Sequence, residues 1–288
     1  MKNISTAVNK VKKVDNHFYI ITEAKSVNCY LIIGETKAIL FDFGYGYENV
    51  VEIIRKITDL PIIPIASHGD PDHALGCSRF DEVYIHQLDY GKLLTNDTAE
   101  IREWTLKYRL KKEPQLVGEI DEKDFMSQSI FPRVKPHLLA DGDTIDIGGN
   151  VIEVIHTSGH SYGHVMLVDR KNRRLFSGDQ ITLHNVWYFI EGDQQAPFAQ
   201  AVTSLKRVLE LETEIDNIYP AHNVTPIDFA NVYDQIDCFE NEIGQTYKND
   251  EIFKAFIGPN GYQHFYKTFN LIYSDERLGE YLGKTIKR

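Results

Sequence analysis

The stretch "SHGDPDH", residues 67–73, places four potential metal ligands within six consecutive positions: His68, Asp70, Asp72 and His73. It follows the apolar run "LPIIPIA", residues 60–66, which predicts a buried strand with the cluster in the loop at its carboxyl end. A surface turn alone explains Asp, Gly and Pro, because aspartate bonds its own backbone there. Two histidines around two aspartates favour a metal site instead, since imidazole nitrogen and carboxylate oxygen are common ligands of Zn²⁺ and similar ions.

Three later segments repeat this pattern of a ligand-type residue just beyond an extended apolar run. The segment "HTSGHSYGH" follows "NVIEVI" and carries histidines at four-residue spacing: His156, His160 and His164. Asp179 ends the run "LFSGD", and His222 lies in "IYPAHN". Because sites tend to be built on loops held by a rigid sheet, these residues strengthen the prediction of a metal site.

Taken in order, the segments "ILFDFG", "SHGDPDH", "HTSGHSYGH", "FSGD" and "YPAHN" resemble the metallo-β-lactamase-fold hydrolase superfamily. The resemblance covers about residues 17–225. It implies an α/β (α+β) fold of the four-layer αββα type, in which two sheets pack face to face with helices outside and the metals at one edge.

The resemblance also implies a dinuclear centre of two divalent metal ions, with zinc the first expectation. Carried over by position, His68 and His160 bind the first ion, and Asp72, His73 and His222 bind the second. Asp179 bridges the two ions. Asp42, His156 and His164 match positions that support the metals without binding them.

Asp70 departs from the family pattern, because most members have a histidine there and H-x-H-x-D-H becomes H-x-D-x-D-H. An aspartate can still coordinate, and a carboxylate-rich site suits harder ions, so iron or manganese becomes more plausible relative to zinc. The flavodiiron branch of the superfamily, which has a glutamate at the equivalent position, makes this shift credible by analogy. The alternative is that Asp70 does not reach the metal and leaves the first site weak or empty.

The remaining sequence predicts a single domain over 1–288. Charged, helix-favouring stretches predict a helical insertion at about 87–135, and a helix is expected near 197–210. A predominantly helical C-terminal extension is expected over about 226–288.

Composition limits the partners. The formal net charge of −11 repels polyanions, so neither a nucleic acid nor an acidic membrane surface is an expected partner. No apolar run resembles a signal peptide or a membrane span, which places the expected location in the cytoplasm. The three cysteines, Cys29, Cys77 and Cys238, are too few for a disulfide framework or a thiolate site.

The predicted function is hydrolysis of a small-molecule ester, lactone or thioester by a water activated between two cations. Asp72 and Asp179 would also help to pass on the proton. The loop "QITLHNVWYFIEGD", residues 180–193, would supply a pocket wall in which Tyr188 donates a hydrogen bond to the substrate carbonyl. The alternative for its aromatic residues, Tyr188 included, is packing in the core.

Three other functions remain open. Asp70 motivates a diiron redox protein resembling the flavodiiron branch, and the fold also serves phosphodiesterases. The insertion and the extension motivate a non-catalytic metal-binding interaction protein, because either segment offers a surface for a homodimer.

Overall fold

The computed structural model describes residues 4–183, 185–188, 196–254 and 260–288. It divides into two compact units, Met1–Val154 and Ile155–Arg288. Since compactness does not measure independent folding, the single domain over 1–288 stays a prediction.

The first unit contains a mixed sheet whose strands lie side by side in chain order. Its strands are β1 Asn9–Lys13, β2 Phe18–Glu23, β3 Val27–Ile33, β4 Ala38–Phe41, β5 Ile62–Ile65, β6 Glu82–His86 and β7 Lys135–Leu139. Neighbours are antiparallel from β1 to β4 and parallel from β4 to β7. The carboxyl ends of β4, β5 and β6 therefore share one edge, where open α/β sheets usually carry their sites.

The helices of the first unit include those of the predicted insertion. They are α1 Val50–Ile54, α2 Pro71–Ala74, α3 Gln87–Asn96, α4 Ala99–Lys112 and α5 Glu122–Ser127. Helix α4 begins at its cap Thr98, whose side chain accepts a hydrogen bond from the Ile101 backbone, and basic residues fill its last turn. Helices α3, α4 and α5 lie within residues 87–135, the predicted insertion. Strands β8 Thr144–Asp146 and β9 Val151–His156 form an antiparallel hairpin.

The second unit contains further strands and helices around its own apolar core. The strands are β10 Val165–Asp169, β11 Arg174–Gly178, β12 Asn185–Tyr188, β13 Asn217–Pro220, β14 Glu251–Phe253, β15 Gly261–Tyr266 and β16 Phe269–Tyr273. The helices are α6 Phe198–Leu209, α7 Ala230–Asp237, α8 Ile243–Thr246 and α9 Asp275–Leu282. Strand β11 pairs antiparallel with β10 and parallel with β13, and the helix predicted near 197–210 is α6.

The C-terminal extension, residues 226–288, differs from the prediction because it is only partly helical. Strands β14, β15 and β16 pair antiparallel within it, and β16 also pairs parallel with β12. The stretch "GYQHFYKTFNLIY", residues 261–273, is rich in aromatic and β-branched residues. Such residues pack well on a sheet surface, which outweighs the helical propensity of the flanking segments.

Each unit buries its own apolar clusters. In the first unit, the largest cluster packs strands β3 and β4 against α1 and the turn that follows α2. In the second, α6, α7 and α9 cover strands β10, β11 and β16. Among the described residues, no helix has both the length and the apolar character needed to cross a membrane.

Candidate metal centre

In the first unit, the candidate ligands follow strand β5 in one tight loop. His68 and His73 are fully buried, whereas the side chains of Asp70 and Asp72 are 17% and 22% exposed. Helix α2 begins with Pro71 directly after Asp70, because proline is pre-organised for a first helical position. The turn then brings the His68 and His73 rings to a centroid distance of 4.1 Å.

Asp42, directly after β4, fixes the imidazole of His73 by a hydrogen bond and that of His68 through Ser67. One carboxylate oxygen accepts from the Ser67 backbone N–H at 2.7 Å. The other oxygen accepts from the Ser67 hydroxyl and from His73 Nδ1, both at 2.9 Å. Asp42 is fully buried and adopts a left-handed backbone with φ of 63°, which aspartate tolerates better than most residues.

These bonds assign the ring protons. The Ser67 hydroxyl gives its only proton to Asp42, so it accepts from His68 Nδ1, which lies 2.9 Å away. In the neutral form of both histidines, Nδ1 therefore carries the proton and Nε2 carries the lone pair. His68 Nε2 lies 3.1 Å from Asp70 Oδ2, and His73 Nε2 lies 3.7 Å from Asp72 Oδ1. An imidazole lone pair and a carboxylate oxygen repel each other at such distances. A proton or a cation between them removes this repulsion.

Helix α3 holds the same loop from the side through residues that the sequence analysis did not identify. The Gly69 N–H donates to the buried Asp89 carboxylate at 2.8 Å, and Asn96 donates to the Gly69 carbonyl at 2.9 Å. Lys92 Nζ lies 2.6 Å from Asp70 Oδ1. Spacing of three and seven residues puts Asp89, Lys92 and Asn96 on one helix face. This spacing of polar residues is the feature of the sequence from which they could have been identified.

Gly69 is required at this contact. A Cβ there would lie 2.8 Å from the Asp89 carbonyl oxygen and 2.8 Å from the Leu93 nitrogen, both of them backbone atoms of α3. The absence of a side chain lets the loop approach the helix closely enough for both backbone hydrogen bonds.

Glu23, the last residue of β2, fixes the loop that follows Asp42. Its buried carboxylate accepts from the backbone N–H groups of Tyr45, Gly46 and Tyr47 at 2.6, 3.1 and 2.9 Å. Burial raises its pKa to about 7, although these donors and Arg109 act to lower it. The loop also carries Tyr45, whose pKa is raised by burial and further by the charge of Asp72.

The raised pKa of Glu23 predicts a pH-dependent stability. Its folded pKa of about 7 lies above its ordinary value of 4.5, so the folded protein holds the proton more tightly. The free energy of unfolding should therefore fall as pH rises from 4.5 to 7, by about 1.4 kcal/mol per pH unit from this group. Urea unfolding across this range should show that slope in the wild type and lose it in Glu23→Gln. An equal slope in both proteins would contradict the prediction, and the exposed Glu103→Gln serves as the control.

In the second unit, Asp179 and His222 lie at the carboxyl ends of the parallel strands β11 and β13. Asp179 presents one oxygen to each of two histidines. Its Oδ1 lies 3.2 Å from His222 Nε2, and its Oδ2 lies 3.8 Å from His160 Nε2. The side chains are nearly buried, with exposed fractions of 12% for Asp179, 10% for His222 and 4% for His160.

His160 is oriented by bonds to both its ring and its backbone. Its Nδ1 donates to the Trp187 carbonyl at 3.0 Å, which leaves the lone pair on Nε2. Its backbone N–H donates to the fully buried Gln180 side chain at 2.8 Å. Gln180 directly follows Asp179, yet the sequence analysis did not identify it, because a lone glutamine carries no pattern.

The predicted supporting histidines bond to the ligand loops. His164 Nε2 accepts from the Asp179 backbone N–H at 3.2 Å, and His164 Nδ1 lies 2.8 Å from the Thr157 hydroxyl. His156 Nε2 lies 2.7 Å from the Tyr162 carbonyl. Both rings therefore brace the segment 156–164 around His160.

Tyr188 requires a correction, because the structure places it in the core. Its side chain is 0% exposed and packs edge-on against Phe198 and Phe239 at 5.4 and 5.5 Å. Its hydroxyl accepts from Gln180 at 2.7 Å. The aromatic contacts on strand β12 outweigh the exposure expected of a loop, so Tyr188 takes the core position that was the alternative and supports Gln180. His184 and Phe189 of the same predicted loop lie outside the described residues.

The donor set fits divalent metal ions. The candidate ligands are His68, Asp72 and His73 in the first unit and His160, Asp179 and His222 in the second. Imidazole Nε2 and carboxylate oxygen are the usual ligands of zinc. Thiolates do not contribute, since the cysteines are buried and burial raises the pKa of Cys29 and Cys77.

Comparison with known proteins gives a consistent result. A family model described as the metallo-beta-lactamase superfamily matches residues 22–222. The acyl-coenzyme A thioesterase MBLAC2 of Gallus gallus is 26% identical over 221 residues, which cover 73% of this chain and 76% of that protein. A hydroxyacylglutathione hydrolase of Francisella philomiragia is 34% identical over 218 residues, covering 75% of this chain and 66% of that protein.

Solved structures agree on the fold. A metallo-beta-lactamase from Pontibacter korlensis superposes with a TM-score of 0.55 at 16% identity, covering 81% of this chain and 99% of that one. This likeness confirms the predicted mixed α/β fold of the metallo-β-lactamase type.

Proposed function

Because this chain belongs to the metallo-β-lactamase superfamily, we propose that it hydrolyses acyl thioesters of a small thiol at a centre of two divalent metal ions, with zinc as the metal. Membership confirms the resemblance seen in the motifs and makes the chain a hydrolase of this type. Among the predicted ester, lactone and thioester substrates, the relatives favour the thioester. Their names describe acyl groups carried on coenzyme A and on glutathione, both of which are thiols.

The observation that carries the proposal is the placement of Asp179. Its two carboxylate oxygens face different imidazoles, those of His160 and His222, and each distance leaves room for a cation between the atoms. This arrangement supports the bridging role that the family resemblance implies for Asp179.

The proposed ligands follow the family pattern. His68, Asp70 and His160 would hold one ion, Asp72, His73 and His222 the other, and Asp179 both. Bound divalent ions would polarise the acyl oxygen and lower the pKa of a water that attacks the acyl carbon. The water adds to that carbon as the carbon–sulfur bond breaks, giving a carboxylic acid and a thiol.

The chain's own residues prepare this chemistry. The Asp42 carboxylate and the Trp187 carbonyl hold the Nδ1 protons of His73 and His160. Their Nε2 lone pairs are therefore fixed before an ion binds, which removes a reorientation cost. Asp72 is 22% exposed and can pass the proton of the attacking water to solvent.

A substrate panel tests the proposal. Metal-reconstituted protein should hydrolyse acyl-coenzyme A or S-acylglutathione at least about 100-fold faster, in kcat/KM, than a matched oxygen ester or a phosphodiester. Release of free thiol gives the rate. His68→Ala should abolish it, whereas His137→Ala should not, because the partly exposed His137 pairs with Glu82 and is not a proposed ligand. Equal rates for the two histidine variants, or a preference for the phosphodiester, would contradict the proposal.

A further inference from the structure

Asp70, the departure from the family pattern, lies between Lys92 and His68. Its Oδ1 lies 2.6 Å from Lys92 Nζ, and its Oδ2 lies 3.1 Å from His68 Nε2. The Lys92 side chain is 5% exposed, so this ion pair is largely removed from water.

A buried ammonium is costly to desolvate unless a partner compensates its charge. The pair of Asp70 and Lys92 has no net charge, as a neutral histidine has none. An aspartate in a histidine position therefore adds no negative charge to the centre, because α3 supplies the cation that balances it.

The position of Lys92 is fixed by its neighbours on α3. Asp89 accepts from the Gly69 N–H, and Asn96 donates to the Gly69 carbonyl. A Cβ on Gly69 would lie 3.0 Å from Lys92 Cβ. The ammonium is thereby directed at Oδ1, and Oδ2 is the oxygen that faces His68.

We propose that Asp70 and Lys92 act as one neutral unit in the place of a histidine, so that Asp70 offers a single oxygen to the ion beside His68. Lys92 is then a positioning residue that keeps this site selective for zinc. The inference rests on the metal centre of the proposed function. It opposes the shift toward iron or manganese expected from Asp70 alone, since that shift requires an uncompensated carboxylate.

Metal binding tests this role without reference to activity. Zn²⁺ and Mn²⁺ affinities and stoichiometries are measured, by chelator competition and elemental analysis, for the wild type, Lys92→Met, Asp70→His and the double variant. Lys92→Met should raise the Mn²⁺ affinity relative to Zn²⁺ by about 10-fold, because both Asp70 oxygens and the full charge become available. Asp70→His should weaken zinc binding at the first site by about 10-fold, since Lys92 would lose the carboxylate that it faces. The double variant should recover the zinc affinity of the first site.

The outcomes separate the two proposals. If the unaltered protein binds no metal, the proposed function fails. If the unaltered protein binds both ions and Lys92→Met leaves the metal preference unchanged, the inference alone is overturned. The same holds if the double variant binds zinc as weakly as Asp70→His. Lys107→Met, on an exposed position of α4, is the matched control. Should Lys92→Met not fold, Lys92→Gln removes the charge while keeping a donor for Asp70, and a smaller shift in the same direction is expected.

Discussion

Replacing Asp179 by asparagine is expected to lower kcat/KM for the thioester by about 10³-fold or more, a loss of about 4 kcal/mol in transition-state stabilisation. The carboxylate presents Oδ1 to His222 and Oδ2 to His160. Asparagine keeps the size of the side chain but has one oxygen and no charge, so it could not bridge the two proposed ions. The backbone should persist, because the Asp179 N–H, which donates to His164, is unchanged.

The measurement pairs steady-state kinetics with elemental analysis of the metal content. Asp216→Asn is the matched control, since Asp216 lies at the surface with its side chain 58% exposed and bonds Arg173. The control should retain both its metal and its rate. An Asp179→Asn variant that keeps both ions and a near-native rate would remove the bridging carboxylate from the proposed function.

The sequence was most informative where ligands and strand are adjacent in the chain. The run "LPIIPIASHGDPDH" contains both strand β5 and its loop, so the position of His68, Asp72 and His73 at the carboxyl end of β5 could be predicted. The same holds for Asp179 after β11 and for His222 after β13. A short sequence pattern suffices when the ligand residues directly follow the strand that positions them.

Interactions between distant segments could not be predicted in this way. Lys92 lies 22 positions after Asp70, and a lysine on an amphipathic helix ordinarily suggests a solvated face. Only the packing of α3 against Gly69 turns it toward the carboxylate. The sequence left Tyr188 between a pocket wall and the core for a similar reason, because its neighbours Phe198 and Phe239 come from helices further along the chain.

Asp42→Asn is expected to weaken metal binding by about 10- to 100-fold although Asp42 is not a proposed ligand. Asp42 accepts three hydrogen bonds, from the Ser67 backbone, the Ser67 hydroxyl and His73 Nδ1. An amide nitrogen at the second oxygen would donate where the carboxylate accepts. His73 would then place its proton on Nε2, the atom that is proposed to bind the ion. Released from Asp42, the Ser67 hydroxyl would donate to His68 Nδ1 and shift that proton to Nε2 as well.

The opposite amide orientation does not relieve the problem, since the NH₂ group then faces the buried Ser67 N–H and leaves a donor unsatisfied, at a cost of about 1–3 kcal/mol. Chelator competition measures the metal affinity, and ¹⁵N NMR of the histidines reports which ring nitrogen carries the proton. Asp97→Asn is the matched control, because that carboxylate also accepts from backbone N–H groups, those of Ile130 and Phe131, and bonds Arg102. The control should lose stability and keep its metal affinity. Equal metal affinity in Asp42→Asn and wild type, with unchanged histidine tautomers, would show that Asp42 does not orient the ligands.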